Sequence, residues 1–247
     1  MKLFVDVGNT SMKWRLRDGT GCHQGSFTHD RDWSGVVSEL ARVAPASVNE
    51  VHVASVAGSE GDQLLEGELL RQLGITPRFH YSEASAGGVR NAYENPRRLG
   101  VDRWLAVLEA WHRHGPSVVI DCGSAMTIDA VAQGRHLGGY IVPGLAMLRG
   151  SLLQNTADVH LSSALPASLE PGSSTTEGVE HGILLMSVAF ASRAVVELRR
   201  GLPDTCSVLL TGGDASRLES WLGDEVTLEP DLVLDGLERR VRMDRGE

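Results

Sequence analysis

Asp6-Val7-Gly8-Asn9-Thr10 near the start of the chain and Asp121-Cys122-Gly123-Ser124-Ala125 at its middle share one pattern. Each follows an apolar, β-rich run, Leu3-Phe4-Val5 in the first case and Val118-Val119-Ile120 in the second. Each then delivers a carboxylate, a glycine and small polar residues, which reads as a strand running into a tight turn. Glycine lets the main chain come close to a ligand, while turn amides and short hydroxyl or amide side chains donate to phosphate oxygens. The carboxylate can hold a metal ion. Either stretch alone is compatible with an ordinary hairpin turn, but recurrence at corresponding places points to a duplicated nucleotide-binding fold.

Outward from these turns, strands alternate with helices. The first half reads as a strand over 2–7, a hairpin strand through Lys13-Trp14-Arg15-Leu16-Arg17 closed by Asp18-Gly19, a helix over 32–44, a strand over 51–56 and a helix from Gln63 to Leu73 that Gly74 ends. The second half reads as strands at 117–121, near 127–132 and from Leu137 to Val142. Pro143-Gly144 then opens a helix, a long amphipathic helix spans about 175–200, and a buried strand at 207–210 ends in Thr211-Gly212-Gly213-Asp214. This order predicts an α/β protein of two similar mixed-sheet domains, residues 1–115 and 116–247, with a cleft between them. The stretch Glu238 to Glu247 mixes both charge signs with little apolar content and reads as a solvated helix end or tail.

The hydrophobic content of 42% supports substantial cores, and a formal net charge of −9 argues against broad nucleic-acid affinity, which rests on clustered Lys and Arg. A local phosphate cradle is still compatible with that charge. Cys22, Cys122 and Cys206 are odd in number and have neither disulfide-ladder nor zinc-type spacing, which fits a reduced cytoplasm. Asp6 interrupts the N-terminal apolar run, and Ile183 to Ala191 is too short to span a bilayer, so no membrane association is expected. His112 and His114, two apart on a helix, face different directions and make a poor metal pair. Trp104, Leu105, Val107, Leu108 and Trp111 form a bulky apolar stripe, read as packing rather than base stacking.

In the first turn, Asp6 would hold Mg²⁺ directly or through water, the amides would grip phosphates, and Lys13 would offset their charge. The second turn repeats the arrangement with Asp121, Gly123, Ser124 and Thr127. Thr211-Gly212-Gly213-Asp214 either admits a nucleoside close to the backbone or is a strand-to-helix turn with Asp214 as its N-cap.

The combination resembles the acetate and sugar kinase, heat-shock ATPase and actin superfamily, in which two related domains clamp ATP. Between the turns, Gly88-Val89-Arg90-Asn91-Ala92-Tyr93-Glu94-Asn95-Pro96 and Leu99-Gly100-Val101-Asp102-Arg103-Trp104 resemble the substrate signature of type III pantothenate kinases. The resemblance continues through Gly138-Gly139-Tyr140-Ile141-Val142-Pro143-Gly144 and Thr175-Thr176-Glu177-Gly178-Val179 to Thr211-Gly212-Gly213-Asp214. It implies an actin-like fold, ATP and pantothenate as substrates, Mg²⁺, a monovalent cation (K⁺ or NH₄⁺), and a cytoplasmic homodimer.

By the same resemblance ATP contacts run through Asp6, Val7, Gly8, Asn9, Thr10, Ser11, Met12 and Lys13, with Ser124 in the second turn. Asp102 is the general base, Tyr93, Gly100, Val101, Arg103 and Thr175 hold the substrate, with Thr175 acting across a dimer interface, and Asp121 binds the monovalent cation. Ser124 departs from the family's usual threonine, keeping the hydroxyl and losing a methyl. Read without the family, Asp102 and Thr175 or Thr176 are helix caps. A kinase for another small hydroxylated acid or sugar is the nearest alternative, and an ATP-binding regulator that has lost catalysis is the other.

Overall fold

The structure is a computed structural model that describes residues 1–19, 21–44, 47–155 and 167–246. By its internal contacts the chain divides into two units, Met1–His112 with Leu232–Glu247, and Arg113–Asp231.

The first unit contains β1 (Lys2–Val7), β2 (Ser11–Asp18), β3 (Gly21–Thr28), α1 (Trp33–Val43), β4 (Glu50–Ser55), α2 (Gly58–Leu73) and β5 (Arg78–His80). A short hairpin of β6 (Ser85–Ala86) and β7 (Val89–Arg90) leads to α3 (Val101–His114). Leu3, Phe4, Val5 and Val7 are all buried, so β1 points apolar side chains to both faces, as a central strand must. It runs antiparallel to β2 and parallel to β4, within the order β3-β2-β1-β4-β5. Helix α1 starts at Asp32, whose carboxylate accepts from the Gly35 amide at 3.0 Å. Helix α2 starts at Gly58, five residues earlier than its apolar periodicity indicated, and ends at Gly74 in the left-handed conformation (φ 69°). Val37 and Leu40 of α1 and Leu65 and Leu69 of α2 bury against Leu3, Val5, Met12 and Val53 of the sheet.

The second unit contains β8 (Ser117–Cys122), β9 (Ala125–Ala132), β10 (Arg135–Pro143), α4 (Leu145–Asn155), α5 (Thr175–Arg199), β11 (Ser207–Thr211), α6 (Ala215–Leu222) and β12 (Val226–Leu228). Its strands follow the order β10-β9-β8-β11-β12. Strand β8 is antiparallel to β9 and parallel to β11, and β11 is parallel to β12. Order and strand sense therefore repeat those of the first unit, and the two motifs lie at the carboxyl ends of equivalent central strands.

Helix α5 is less cleanly amphipathic than its sequence suggested. Ile183, Leu184, Val188, Ala191 and Ala194 are buried, while Leu185, Met186 and Val196 stand about half exposed. Its 25 residues, with a mean hydropathy of 1.4 over 18 of them, are long and apolar enough to cross a membrane by length and composition alone. Its inner side packs on β8 and β9.

The C-terminal segment departs from the expected tail and from the expected division at residue 115. Helix α7 (Leu232–Asp244) buries Leu232, Val233, Leu234, Leu237 and Val241 and belongs by its contacts to the first unit. Gly236 lies so close to Leu105 of α3 that a Cβ would fall 2.3 Å from the Leu105 carbonyl oxygen. Arg15 of β2, 3% exposed, donates to Asp235 at 2.5 Å and to Glu238 at 2.8 Å. Glu238 also accepts from Arg17 at 3.0 Å and from Arg242 at 3.2 Å. Glu238, which reads as solvated in the sequence, is thus buried in an ion-pair network whose outer members Arg17 and Arg242 stay partly exposed.

Near the other end of this helix, His52 Nδ1 lies 3.1 Å from His80 Nε2, and His52 Nε2 lies 3.1 Å from Glu50, which also pairs with Arg245. Burial, and then the field of His52, Arg78 and Arg240, holds the His80 imidazole down at about 4, below its ordinary 6.5.

Two stability predictions follow from these contacts. Glu238→Ala removes one of the carboxylates that meet the buried Arg15 charge and should destabilise the first unit by about 3 kcal/mol; an unchanged thermal midpoint would show that the network contributes nothing. His80 is neutral in the folded state and takes up a proton in the unfolded state once the pH drops below 6.5. Stability should therefore be lost as pH falls from 6.5 to about 4 and level off below, as far as this group is concerned. His52, which burial shifts in the same direction, adds to the slope. Melts of His80→Gln over this range should show a shallower decline than the parent; parallel curves would remove His80 from the pH dependence.

Candidate active site

At the first turn, β1 and β2 meet in a hairpin whose last pair is Val7 opposite Met12, with Asp6 opposite Lys13. The register brings carboxylate and ammonium to adjacent strands at the mouth of the turn. The Gly8 amide donates to the Ser11 carbonyl at 2.9 Å, which closes the loop and leaves Asn9 and Thr10 exposed at its tip. A Cβ on Gly8 would sit 3.3 Å from that carbonyl, tighter than most side chains tolerate. Val7 and Met12 are fully buried core residues, so only their main chain faces the turn. An open cavity of about 690 Å³ adjoins Ser11 and is lined further by Thr28, His29, Asp30 and Glu39.

At the second turn, three main-chain segments converge. The Gly123 amide donates to Ala125 O at 3.1 Å, the Gly144 amide to Ser124 O at 3.0 Å, and the Asp214 amide to Cys122 O at 2.9 Å. The approach leaves no room for side chains. A Cβ on Gly144 would lie 2.2 Å from Gly123 O, and one on Gly212 2.4 Å from Cys122 O and 2.5 Å from an Asp121 carboxylate oxygen. Gly212 also has φ 98°, a conformation that favours glycine. The third glycine-rich stretch is thereby seated on the second motif. Asp214 stands at the N-cap position of α6 without a side-chain capping bond. Burial, then the fields of Asp121 and Asp214, push the Cys122 thiol up to about 12, so it packs as a neutral thiol.

The segment from Tyr93 to Arg103 lies within the first unit. Arg103, 5% exposed, donates to the Tyr93 hydroxyl at 3.0 Å, with its guanidinium carbon 5.9 Å from the Tyr93 ring centre. Asp102 lies in the first turn of α3, where its Oδ1 accepts from the Arg103 amide at 2.8 Å. A Cβ on Gly100, just ahead of it, would meet Asp102 Oδ1 at 2.5 Å, so a side chain there would displace that carboxylate. Val101 is buried, which leaves its main chain as the part nearest Gly100 and Asp102.

Two supports were not foreseen as such. Buried Asn91 donates to Glu83 O at 3.1 Å and accepts from the Tyr93 amide at 2.9 Å, and buried Ser82 donates to Leu99 O at 2.9 Å. Asn91 lay in plain view in the motif; Ser82 carried no local signal.

Thr175 lies in the second unit, exposed in the first turn of α5. The cap is Ser174, one residue earlier than expected, whose hydroxyl accepts from the Glu177 amide at 3.2 Å. Glu177 in turn accepts from the Ser173 amide at 2.7 Å. Thr175 is therefore spared the capping role. Among the described residues no group of three or more His, Cys, Asp or Glu is placed to hold a metal ion.

Two sheets of repeated strand order, each ending its central strand in a glycine turn beside a carboxylate, define an actin-like ATPase and kinase fold. Solved structures share it. A protein of Sinorhizobium meliloti named provisionally as a 2-dehydro-3-deoxygalactonokinase superposes with a TM-score of 0.64 at 13% identity, covering 98% of this chain and 96% of that one. Component A of the (R)-2-hydroxyglutaryl-CoA dehydratase of Acidaminococcus fermentans superposes with a TM-score of 0.54 at 15% identity, covering 100% and 99%.

Sequence relatives narrow the class. The family model for type III pantothenate kinase matches residues 2–197, and the type III pantothenate kinase of Alcanivorax borkumensis is 54% identical over 97% of this chain and 98% of its own. The chain belongs to the type III pantothenate kinase family.

Proposed function

We infer that this protein transfers the γ-phosphoryl group of ATP to the primary hydroxyl of pantothenate, forming 4'-phosphopantothenate and ADP in the first step of coenzyme A biosynthesis. Family membership over nearly the whole chain, together with the Tyr93–Arg103–Asp102 constellation, carries this reading. The pantothenate oxygen forms a bond to the γ-phosphorus as the bond from that phosphorus to the β–γ bridging oxygen breaks, and Asp102 accepts the hydroxyl proton. Anchoring of Asp102 Oδ1 on the Arg103 amide sets the carboxylate's orientation before substrate arrives. Arg103 complements the substrate carboxylate and Tyr93 steadies the guanidinium, while Gly100 and Val101 offer main-chain contacts.

The segment from Asp6 to Lys13, with Ser124, takes the nucleotide. Mg²⁺ suits Asp6, since that ion is commonly held by one carboxylate plus substrate phosphates. At the second turn Asp121, with Asp214 near the same Cys122 thiol, offers carboxylate oxygens to a monovalent cation such as K⁺ or NH₄⁺. These ions would supply charge neutralisation at the phosphates. The kinase acting on another hydroxylated acid or sugar is disfavoured by the Tyr93 to Arg103 signature, and the pure ATP-binding regulator by the pre-set base.

We also assign a homodimer, built on the exposed apolar side of α5 and α4. Leu185, Met186 and Val196 of α5 and Met147 and Leu152 of α4 are exposed on helices that pack together, and Thr175 heads the same α5. A second copy covering this stripe would bring Thr175 into a shared interface.

The reaction is tested by phosphopantothenate formation from ATP, Mg²⁺ and pantothenate in K⁺ and in Na⁺. Product is expected, faster in K⁺, and Asp102→Asn should lower turnover by roughly 10²–10⁴-fold. Absence of product from folded protein would refute the pantothenate reading, near-parental turnover in the variant would remove Asp102 as base, and equal rates in both salts would remove the cation. For the dimer, sedimentation should give twice the chain mass and Met186→Glu should yield monomers of reduced activity; a fully active monomeric parent would sink the shared site.

A further inference from the structure

His29 belongs to neither turn motif, yet it grips the first one twice. Its main-chain amide donates to Thr10 O at 2.9 Å, and its Nε2 lies 3.2 Å from Gly8 O. The Arg31 amide donates to Nδ1 at 3.3 Å, so Nδ1 is the acceptor nitrogen of a neutral ring and the proton is on Nε2, donated to Gly8 O. The ring is 6% exposed and sits 4.9 Å from the ring of Trp33, a core residue that opens α1. Arg31 holds its amide there from a left-handed backbone conformation, φ 62°, uncommon for a residue with a side chain. Burial, ring packing and two acceptor-matched bonds thus define one orientation of the imidazole.

The Gly8–Asn9 peptide is trans, so its carbonyl and amide point in opposite directions. A Gly8 carbonyl drawn toward His29 turns the Asn9 N–H to the opposite side of the turn. We propose that His29 is a positioning residue for the nucleotide, locking the Gly8–Asn9 peptide so that the Asn9 amide is presented to a phosphate oxygen of ATP. The inference rests on the reading of residues 6–13 as the ATP site. Exposed tips of two residues are where a peptide is easiest to flip, and a donor fixed in advance avoids the ordering cost at binding.

Steady-state kinetics, calorimetric ATP binding and thermal melts of the full chain carrying His29→Leu, His29→Gln, His29→Asn or Lys13→Ala test this. His29→Leu should raise KM and Kd for ATP about three- to ten-fold, the size expected for one hydrogen bond, with KM for pantothenate unchanged. His29→Gln, whose amide nitrogen reaches the Nε2 position, should recover most of the loss. His29→Asn reaches only the Nδ1 position and should not. The Gln and Asn variants decide the matter even where the Leu variant fails to fold: equal ATP affinity in the two overturns the positioning role. Parental ATP affinity in a folded His29→Leu variant, with Lys13→Ala impaired, also overturns it while leaving the ATP site standing. Parental affinity in Lys13→Ala and His29→Leu alike would overturn the ATP-site reading beneath it.

Discussion

The approach of Gly144 and Gly212 to the turn after β8 is the contact on which the second unit is organised. Main chain lies on main chain there, at distances no Cβ would permit. The amides of Gly144 and Asp214 are both used up on carbonyls of the turn, so β8, the β10–α4 joint and the β11–α6 joint are tied at one point. Asp121 is consequently delivered by a strand end that cannot move independently of the other two. In the first unit the equivalent turn is longer at its tip; the Gly8 to Ser11 bond closes it as the Gly123 to Ala125 bond closes the second, and His29 holds its other side. Duplication has preserved the sheet order and the placement of the carboxylate while the means of fixing the turn diverged.

The two units differ also in how they are closed. Helix α7 lies more than 200 positions from the strand it secures, with Arg15 and Glu238 separated by 223 residues. The first unit therefore lacks an element until the end of the chain has been made, and the contacts that complete it are among the most non-local possible, which slows folding. Buried ion pairs contribute little net stability compared with apolar packing. Here they join β2 to α7, with Arg15 donating to Asp235 and Glu238, three positions apart on the helix.

That same helix shows where reading the sequence stops. Strands β1 and β8 were legible because a central strand needs apolar residues on both faces and a glycine turn afterward, all within ten positions. The constellation of Tyr93, Gly100, Asp102 and Arg103 was legible because it is compact in sequence, and the helix that carries two of its members begins within it. Glu238 among four nearby arginines has no local mark that distinguishes a buried network from a wet surface, since the deciding partner comes from β2. His29 and Ser82 are hidden for a related reason: each acts on a carbonyl of another segment, and carbonyls carry no sequence signature.

Helix α5 joins the two kinds of residue. Its first turn is specified locally, by Ser174 as cap and Glu177 reaching back to Ser173, and this frees Thr175 from the cap. Its later turns carry apolar residues beyond the side that packs on the sheet, among them Leu185, Met186 and Val196. Crossing a bilayer would require Ile183, Ala191 and Ala194 to leave the core they share with Val118, Ile120 and Met126 of β8 and β9. Covering Leu185, Met186 and Val196 with the second copy proposed above would cost none of those contacts and would remove apolar surface from water. The packing is thus compatible with the self-association proposed above, on the helix whose first turn carries Thr175.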